Sequence, residues 1–314
     1  MSSTTPSSPV WTVLNPEANL LGESPFWHPA EQSLYWVDID GMRICRANGY
    51  TGELEHWDMP ETPGCIAPAA KGGLIIALRN TIYRATHWKG QLQLRYRFEH
   101  DPKTTRFNDG KCDPQGRFWA GTMYEPRDQA LGELFSCEAR AGGYFAVKKM
   151  ADGATVANGL AWSPDAHSVY WADTPSHRIR AWDLVLESHV LTNVRTFAQF
   201  PAKPDGWAFG PNCEPYGGRP DGATVDSEGN YWVAMYEGGR ILKLSPNGEQ
   251  LAELRTPVLC PTMPCFGGDD LRTLYVTSAS HKRSADELAA FPQSGCVFFT
   301  RVDTPGLPVN FFRD

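Results

Sequence analysis

A chain of 314 residues with 41% hydrophobic and 21% charged side chains has the make-up of an ordinary folded globular protein. Its net charge of −7, with no Lys/Arg cluster, excludes a surface built to track nucleic-acid phosphates. No stretch approaches the roughly 18 consecutive apolar residues of a membrane-crossing helix, so no membrane partner is expected.

The N-terminal residues 1–10, MSSTTPSSPV, lack the charged start and apolar core of an export signal. They are expected as a disordered tail before a single domain over 11–314. Eight cysteines, at 45, 65, 112, 137, 213, 260, 265 and 296, form no C-x-x-C pair. Scattered cysteines without an export signal predict reduced thiols and a cytoplasmic protein.

Past a strand candidate at 11–14, WTVL, the chain repeats itself. Six short runs read as strands: SLYWVD (33–38), LIIAL (74–78), RFWAGT (117–122), VYWADT (169–174), YWVAMY (231–236) and LYVTSA (274–279). Turn signals precede them: HPAEQ, DPQG, SPDAH, DSEG and GGDD, with AKGG before LIIAL. A further strand candidate follows each run, and beyond most of these lies another. Four strands per unit and six units is the trace of an all-β, six-bladed β-propeller with antiparallel blades. The last unit lacks a fourth strand, so WTVL is expected to complete it and close the ring, removing two exposed sheet edges.

The repeat also locates chemistry. Four segments align without gaps, beginning at Glu23 (ESPFWHP), Asn108 (NDGKCDP), Asn158 (NGLAWSP) and Asp221 (DGATVDS). In each, an oxygen-bearing side chain lies six residues before the Pro or Ser of the turn. Rotation about a propeller axis would bring all four to one channel mouth. Single Asn and Asp residues often do no more than start a turn, but four in one register point to a shared site. Two carboxylates and two carboxamides there suit a hard divalent cation. Arg106, two residues before Asn108, faces the same way in an extended strand and adds a guanidinium beside that site.

Competing motifs are absent: no G-x-S-x-G, no H-E-x-x-H and no Walker A sequence. His28 and His167 read as turn residues, and His177 and His281 as solvated loop residues after strands. The D-I-D-G at 38–41 reads as a strand end rather than a calcium loop.

With LGESPFWHP (21–29), RFNDGKCDPQGRFWAGTM (106–123), NGLAWSPD (158–165), PDGATVDSEGNYWVA (220–234) and FGGDDLRTLYVTSA (266–279), nearly the whole chain resembles the SMP-30/gluconolactonase/regucalcin family. The resemblance implies one catalytic divalent metal, Ca, Mg, Mn, Zn or Fe(II), held by Glu23, Asn158 and Asp221. It implies that Arg106 and Asn108 bind a sugar lactone and that Asp221 doubles as general base in its hydrolysis. Some members carry an acidic pair after A-G-T-M; here Glu125 remains as a substrate-binding residue, but Pro126 follows it. The Gly/Pro-rich segment 201–219 is expected to overhang the mouth. Alternatives on the same scaffold are an arylesterase or phosphotriesterase, a non-catalytic calcium-binding protein, and a protein-docking propeller of the kind that carries YWTD repeats. Oligomeric state is not legible.

Overall fold

The computed structural model describes residues 9–314; the tail expected over 1–10 falls outside the described residues except for Pro9 and Val10. Twenty-four strands form six antiparallel four-stranded sheets, the blades of a propeller. In five blades the strands follow one another in sequence, as hairpin connections dictate. The sixth joins Pro261–Gly267, Thr273–Ser278 and Val297–Arg301 to Thr12–Asn15 from the other end of the chain. Thr12 pairs with Phe299, Val13 with Phe298 and Asn15 with Val297. The ring is therefore closed by the N-terminal strand, as the unpaired WTVL predicts.

The first strand of each blade lies innermost: Gly22–His28, Pro63–Pro68, Thr105–Cys112, Ala157–Trp162, Arg219–Val225 and Pro261–Gly267 pack on one another in a ring. Blades stack face to face, so the second strands are buried on both sides, and SLYWVD, LIIAL and YWVAM read as almost continuous apolar runs. Ile75 and Ala77 of the second blade meet Phe107, Phe118 and Ala120 of the third. Tyr170 and Ile179 of the fourth meet Val233, Met235 and Leu242 of the fifth.

Each repeat turn is tied to its blade. Asp113 accepts hydrogen bonds from the Arg117 backbone N–H (2.9 Å) and the Trp119 indole N–H (2.9 Å). Asp226 does the same for Asn230 (2.9 Å) and Trp232 (2.9 Å). Gly116 and Gly229 supply the positive φ these turns require, at 83° and 85°. The D-P-Q-G and D-S-E-G signals are thus hydrogen-bonded supports for the buried tryptophans.

Removing residues 1–15 bares the edge of Val297–Arg301 and uncovers Phe298. The truncated protein is expected to melt about 10 °C lower and to aggregate on heating. A melting temperature equal to that of the full chain in differential scanning calorimetry contradicts the closure.

Candidate active site

Each innermost strand slips once in register against its neighbour. The slips fall between Glu23 and Phe26, Pro63 and Cys65, Asn108 and Gly110, Asn158 and Ala161, Pro220 and Ala223, and Pro261 and Pro264. A bulge sets extra backbone opposite one partner residue and re-aims side chains that strict alternation would send between blades. Ser24, Asp109 and Gly159, which directly follow Glu23, Asn108 and Asn158, all take positive φ there (50°, 43° and 60°). At Gly159 no other residue fits, since a β-carbon would lie 2.3 Å from Tyr231 Oη. Four of the six slips carry the oxygen-bearing side chains found by sequence register. The other two carry Pro63-Gly64 and Pro261-Thr262.

Glu23, Arg106, Asn108, Glu125, Asn158 and Asp221 all line one cavity of about 630 Å³. A second cavity of about 320 Å³, walled by Phe26, Ile66, Leu307 and other mostly apolar residues, opens among the far ends of the same strands. It holds none of the six.

A chain of hydrogen bonds fixes both amides. Thr174 spends its only hydroxyl proton on Pro220 O (2.8 Å), so toward Asn158 it accepts (2.8 Å), and the atom facing it is the Nδ2 donor. Asn108 Nδ2 donates to Ala157 O (2.7 Å) and to Asn158 Oδ1 (3.1 Å). Arg106 Nη1 donates to Asn108 Oδ1 (2.8 Å), as their two-residue spacing predicts. Each amide oxygen thus accepts one hydrogen bond and keeps one lone pair. A guanidinium stands at the Asn108 oxygen, which disfavours a cation there, whereas the Asn158 oxygen faces only a neutral amide N–H. Arg106 Nε also stands 3.5 Å from Glu125 Oε1, and Arg79 pairs with the other Glu125 oxygen.

The carboxylates are less well served. Glu23 accepts one hydrogen bond, from the adjacent Ser24 N–H (3.1 Å), and among the described residues Asp221 accepts none. Neither has an ion-pair partner within 4.0 Å among the described residues. Burial pushes the Glu23 carboxyl well above its ordinary range, and the charges of Asp221 and Asp109 add to the shift. Burial likewise raises Asp221 to about 8, against the pull of Arg219. No three His, Cys, Asp or Glu side chains among the described residues are grouped as a ligand set. Two carboxylates and one carboxamide oxygen nevertheless form an all-oxygen donor set, and a hard divalent cation fits its uncompensated charge.

Asp109 is the carboxylate that sequence register passes over. It is buried; Oδ2 accepts from the Leu160 N–H (2.9 Å), while Oδ1 has no partner among the described residues. It does not line the cavity, but it lies close enough for its charge to add to the burial that raises both Glu23 and Asp221. Arg127, Arg219, Lys282 and Arg283 do line the cavity and are likewise missed, because they lie at strand ends and turns that no repeat marks.

His28 and His177 depart from their sequence reading, whereas His281 is exposed as expected. His28 ends its strand and is buried, against Phe311. His177 is buried rather than solvated: Nε2 accepts from the Lys203 N–H (3.1 Å) and meets Tyr216 Oη (2.6 Å), while Nδ1 faces Pro175 O (3.0 Å). This anchors segment 201–219, of which only Arg219 lines the cavity; the loop packs beside the mouth against His177, Glu237 and Phe291. His281 does reach the mouth, held by Asp40 (2.6 Å).

Comparison with known proteins decides the family. The SMP-30/gluconolactonase/LRE-like region model matches residues 21–280. The chain belongs to the SMP-30/gluconolactonase/LRE-like family. Among its relatives, a 6-deoxy-6-sulfogluconolactonase from Pseudomonas putida is 43% identical over 301 residues, covering 94% of this chain and 96% of the relative. Regucalcin from Danio rerio is 34% identical, with 93% and 94% covered. Among solved structures, a calcium-binding regucalcin from Agrobacterium tumefaciens superposes with a TM-score of 0.85 at 26% identity, covering 98% of both chains. A luciferin-regenerating enzyme superposes at 0.84 with 27% identity, covering 98% of this chain and 100% of its own. The family region contains Glu23, Arg106, Asn108, Glu125, Asn158 and Asp221, whereas His281, Lys282 and Arg283 of the same cavity lie just beyond it.

In metal-stripped protein the raised Asp221 carboxyl makes stability depend on pH. The folded chain holds a proton that an unfolded carboxylate releases near pH 4. The stabilising contribution is full below about pH 4 and is lost as the pH rises through about 8. Melting temperature is expected to fall between about pH 5 and about pH 9 in wild type, and to fall less in Asp221→Asn. Identical slopes in stripped wild type and variant contradict the assignment.

Proposed function

We propose that this chain hydrolyses a sugar lactone of the gluconolactone type to the corresponding sugar acid, with one divalent cation bound by Glu23, Asn158 and Asp221. What supports the reading is the convergence of two buried, unpaired carboxylates and an amide oxygen with one open lone pair on a cavity that also presents Arg106, Asn108 and Glu125. The sulfogluconolactonase relative supports the reaction class, and a lactone with an anionic group at C6 falls within the proposed range. The all-oxygen donors favour Ca, Mg or Mn, with Zn or Fe(II) also compatible. The regucalcin relatives, one of them described as calcium-binding, support a divalent ion in general.

When bound, the cation supplies Lewis-acid polarisation of the lactone carbonyl and keeps the carboxylates ionised. Asp221 takes a proton from the attacking water as its oxygen bonds to the carbonyl carbon. The ring C–O bond then breaks, and the proton passes from Asp221 to the departing ring oxygen. Arg106 donates to the ring hydroxyls from the guanidinium N–H groups the amide chain leaves free. Asn108, whose two N–H bonds go to Ala157 O and Asn158 Oδ1, accepts through the second lone pair of its oxygen, and together they set the angle of attack. Glu125, braced by Arg79 and Arg106, accepts from a further hydroxyl. Pro126 offers no such acceptor side chain, so hydroxyl recognition rests on one carboxylate at this edge. Eight unpaired cysteines, seven of them buried, suit a reducing compartment such as the cytoplasm.

Asp221→Asn should remain folded and lose about 10³-fold or more in kcat on gluconolactone followed with a pH indicator. Chelation should abolish wild-type activity, and a divalent ion should restore it. Wild-type turnover by folded Asp221→Asn overturns the mechanism, and metal binding with no turnover of any lactone leaves the calcium-binding alternative.

A further inference from the structure

The charges at the cavity mouth do not balance. Glu125 is taken by Arg79 and Arg106, and Asp40 by His281. Glu237, just outside the cavity, is shared by Lys203 (2.9 Å), Arg219 (3.2 Å) and Arg283 (3.1 Å), and Arg283 also pairs with Glu287 (2.6 Å). Arg127 and Lys282 line the same cavity and have no carboxylate within ion-pair distance among the described residues. Both stand on turns with positive φ (62° and 59°), a conformation a β-carbon disfavours. Arg219 is also incompletely served, since its Nε is buried and has no hydrogen-bond partner among the described residues.

An exposed Lys or Arg commonly does nothing more than face water. Here two unpaired cations and one under-bonded guanidinium face a single concave site. Once a divalent ion answers Glu23 and Asp221, no carboxylate among the described residues of the wall is left for Arg127 and Lys282, and Arg219 shares its one carboxylate, Glu237, with Lys203 and Arg283. Like charges gathered this way repel one another unless an anion enters. A guanidinium and an ammonium together present the forked and point donors that suit a tetrahedral oxyanion.

We infer that Arg127, Lys282 and Arg219 form a subsite for a tetrahedral oxyanion, a sulfonate or a phosphate, carried on the exocyclic carbon of the lactone. The inference rests on the lactonase reading for its orientation. With C1 at Glu23, Asn158 and Asp221, and the ring hydroxyls at Arg106, Asn108 and Glu125, the exocyclic end of the sugar is left for the cationic wall. Charge here confers selectivity: the wall accepts an anionic substituent in place of a neutral hydroxyl and weakens as salt screens it.

The test compares neutral gluconolactone with its 6-sulfonate and 6-phosphate counterparts on wild type, Arg127→Met, Lys282→Met and the double variant. Wild type is expected to favour at least one anionic lactone in kcat/KM. The double variant should lower that preference about tenfold, with the change mainly in KM, and added salt should erode it in wild type. The sulfonate and phosphate arms show which oxyanion the wall prefers. A wild type that favours the neutral lactone, or a preference unchanged in the double variant, overturns the subsite while leaving the lactonase reading intact. If no lactone is opened, the lactonase reading falls. The subsite is then judged by calorimetric binding of 6-phosphogluconate and 6-sulfogluconate, which the double variant must weaken about tenfold. Equal binding by wild type and double variant overturns it.

Discussion

A one-residue slip in the innermost strand of a blade, repeated around the ring, is the constraint on which the site depends. With it, Glu23, Asn108, Asn158 and Asp221 reach the channel from four blades, although nearly 200 residues separate the first from the last. The blades themselves are held by aromatic packing that the slip leaves untouched, because Trp36, Trp119, Trp171 and Trp232 lie on the second strands. Stability and chemistry are thus carried by different strands of the same repeat.

The polar groups gathered in this way are unequally satisfied, and the inequality organises the cavity. The amides are oriented by a relay running from Arg106 through Asn108 and Asn158 to Thr174 and Pro220 O, with each donor matched to an acceptor. The carboxylates of Glu23 and Asp221 have almost no donors and are raised by burial. Satisfied groups make a rigid frame, and unsatisfied ones create demand for a cation. The relay also separates Asn108 from Asn158, which sequence register leaves equivalent. The Asn108 oxygen already receives a guanidinium, whereas the Asn158 oxygen receives one amide N–H.

Much of this is legible in the chain itself. The turn signals, the buried aromatic runs and the orphan strand at 11–14 specify six blades and their closure, because each is a local pattern repeated at intervals. The register of four oxygen-bearing residues is legible for the same reason. Asp109 is not, because its burial against the Leu160 N–H of the next blade and its effect on Glu23 arise from packing between blades, not from a local period. Arg127 and Lys282 escape because turn conformation, not spacing, brings them to the mouth. His177 reads as solvated because nothing local reveals that residues 201–218 fold back over it.

The account stands on Glu23, Asn158 and Asp221 closing on one ion. Crystals soaked in manganese and measured for its anomalous signal test that most directly. A single peak within coordination distance of one oxygen from each of the three side chains is the predicted result. Manganese bound elsewhere in the channel, with these three oxygens uncoordinated, would contradict it.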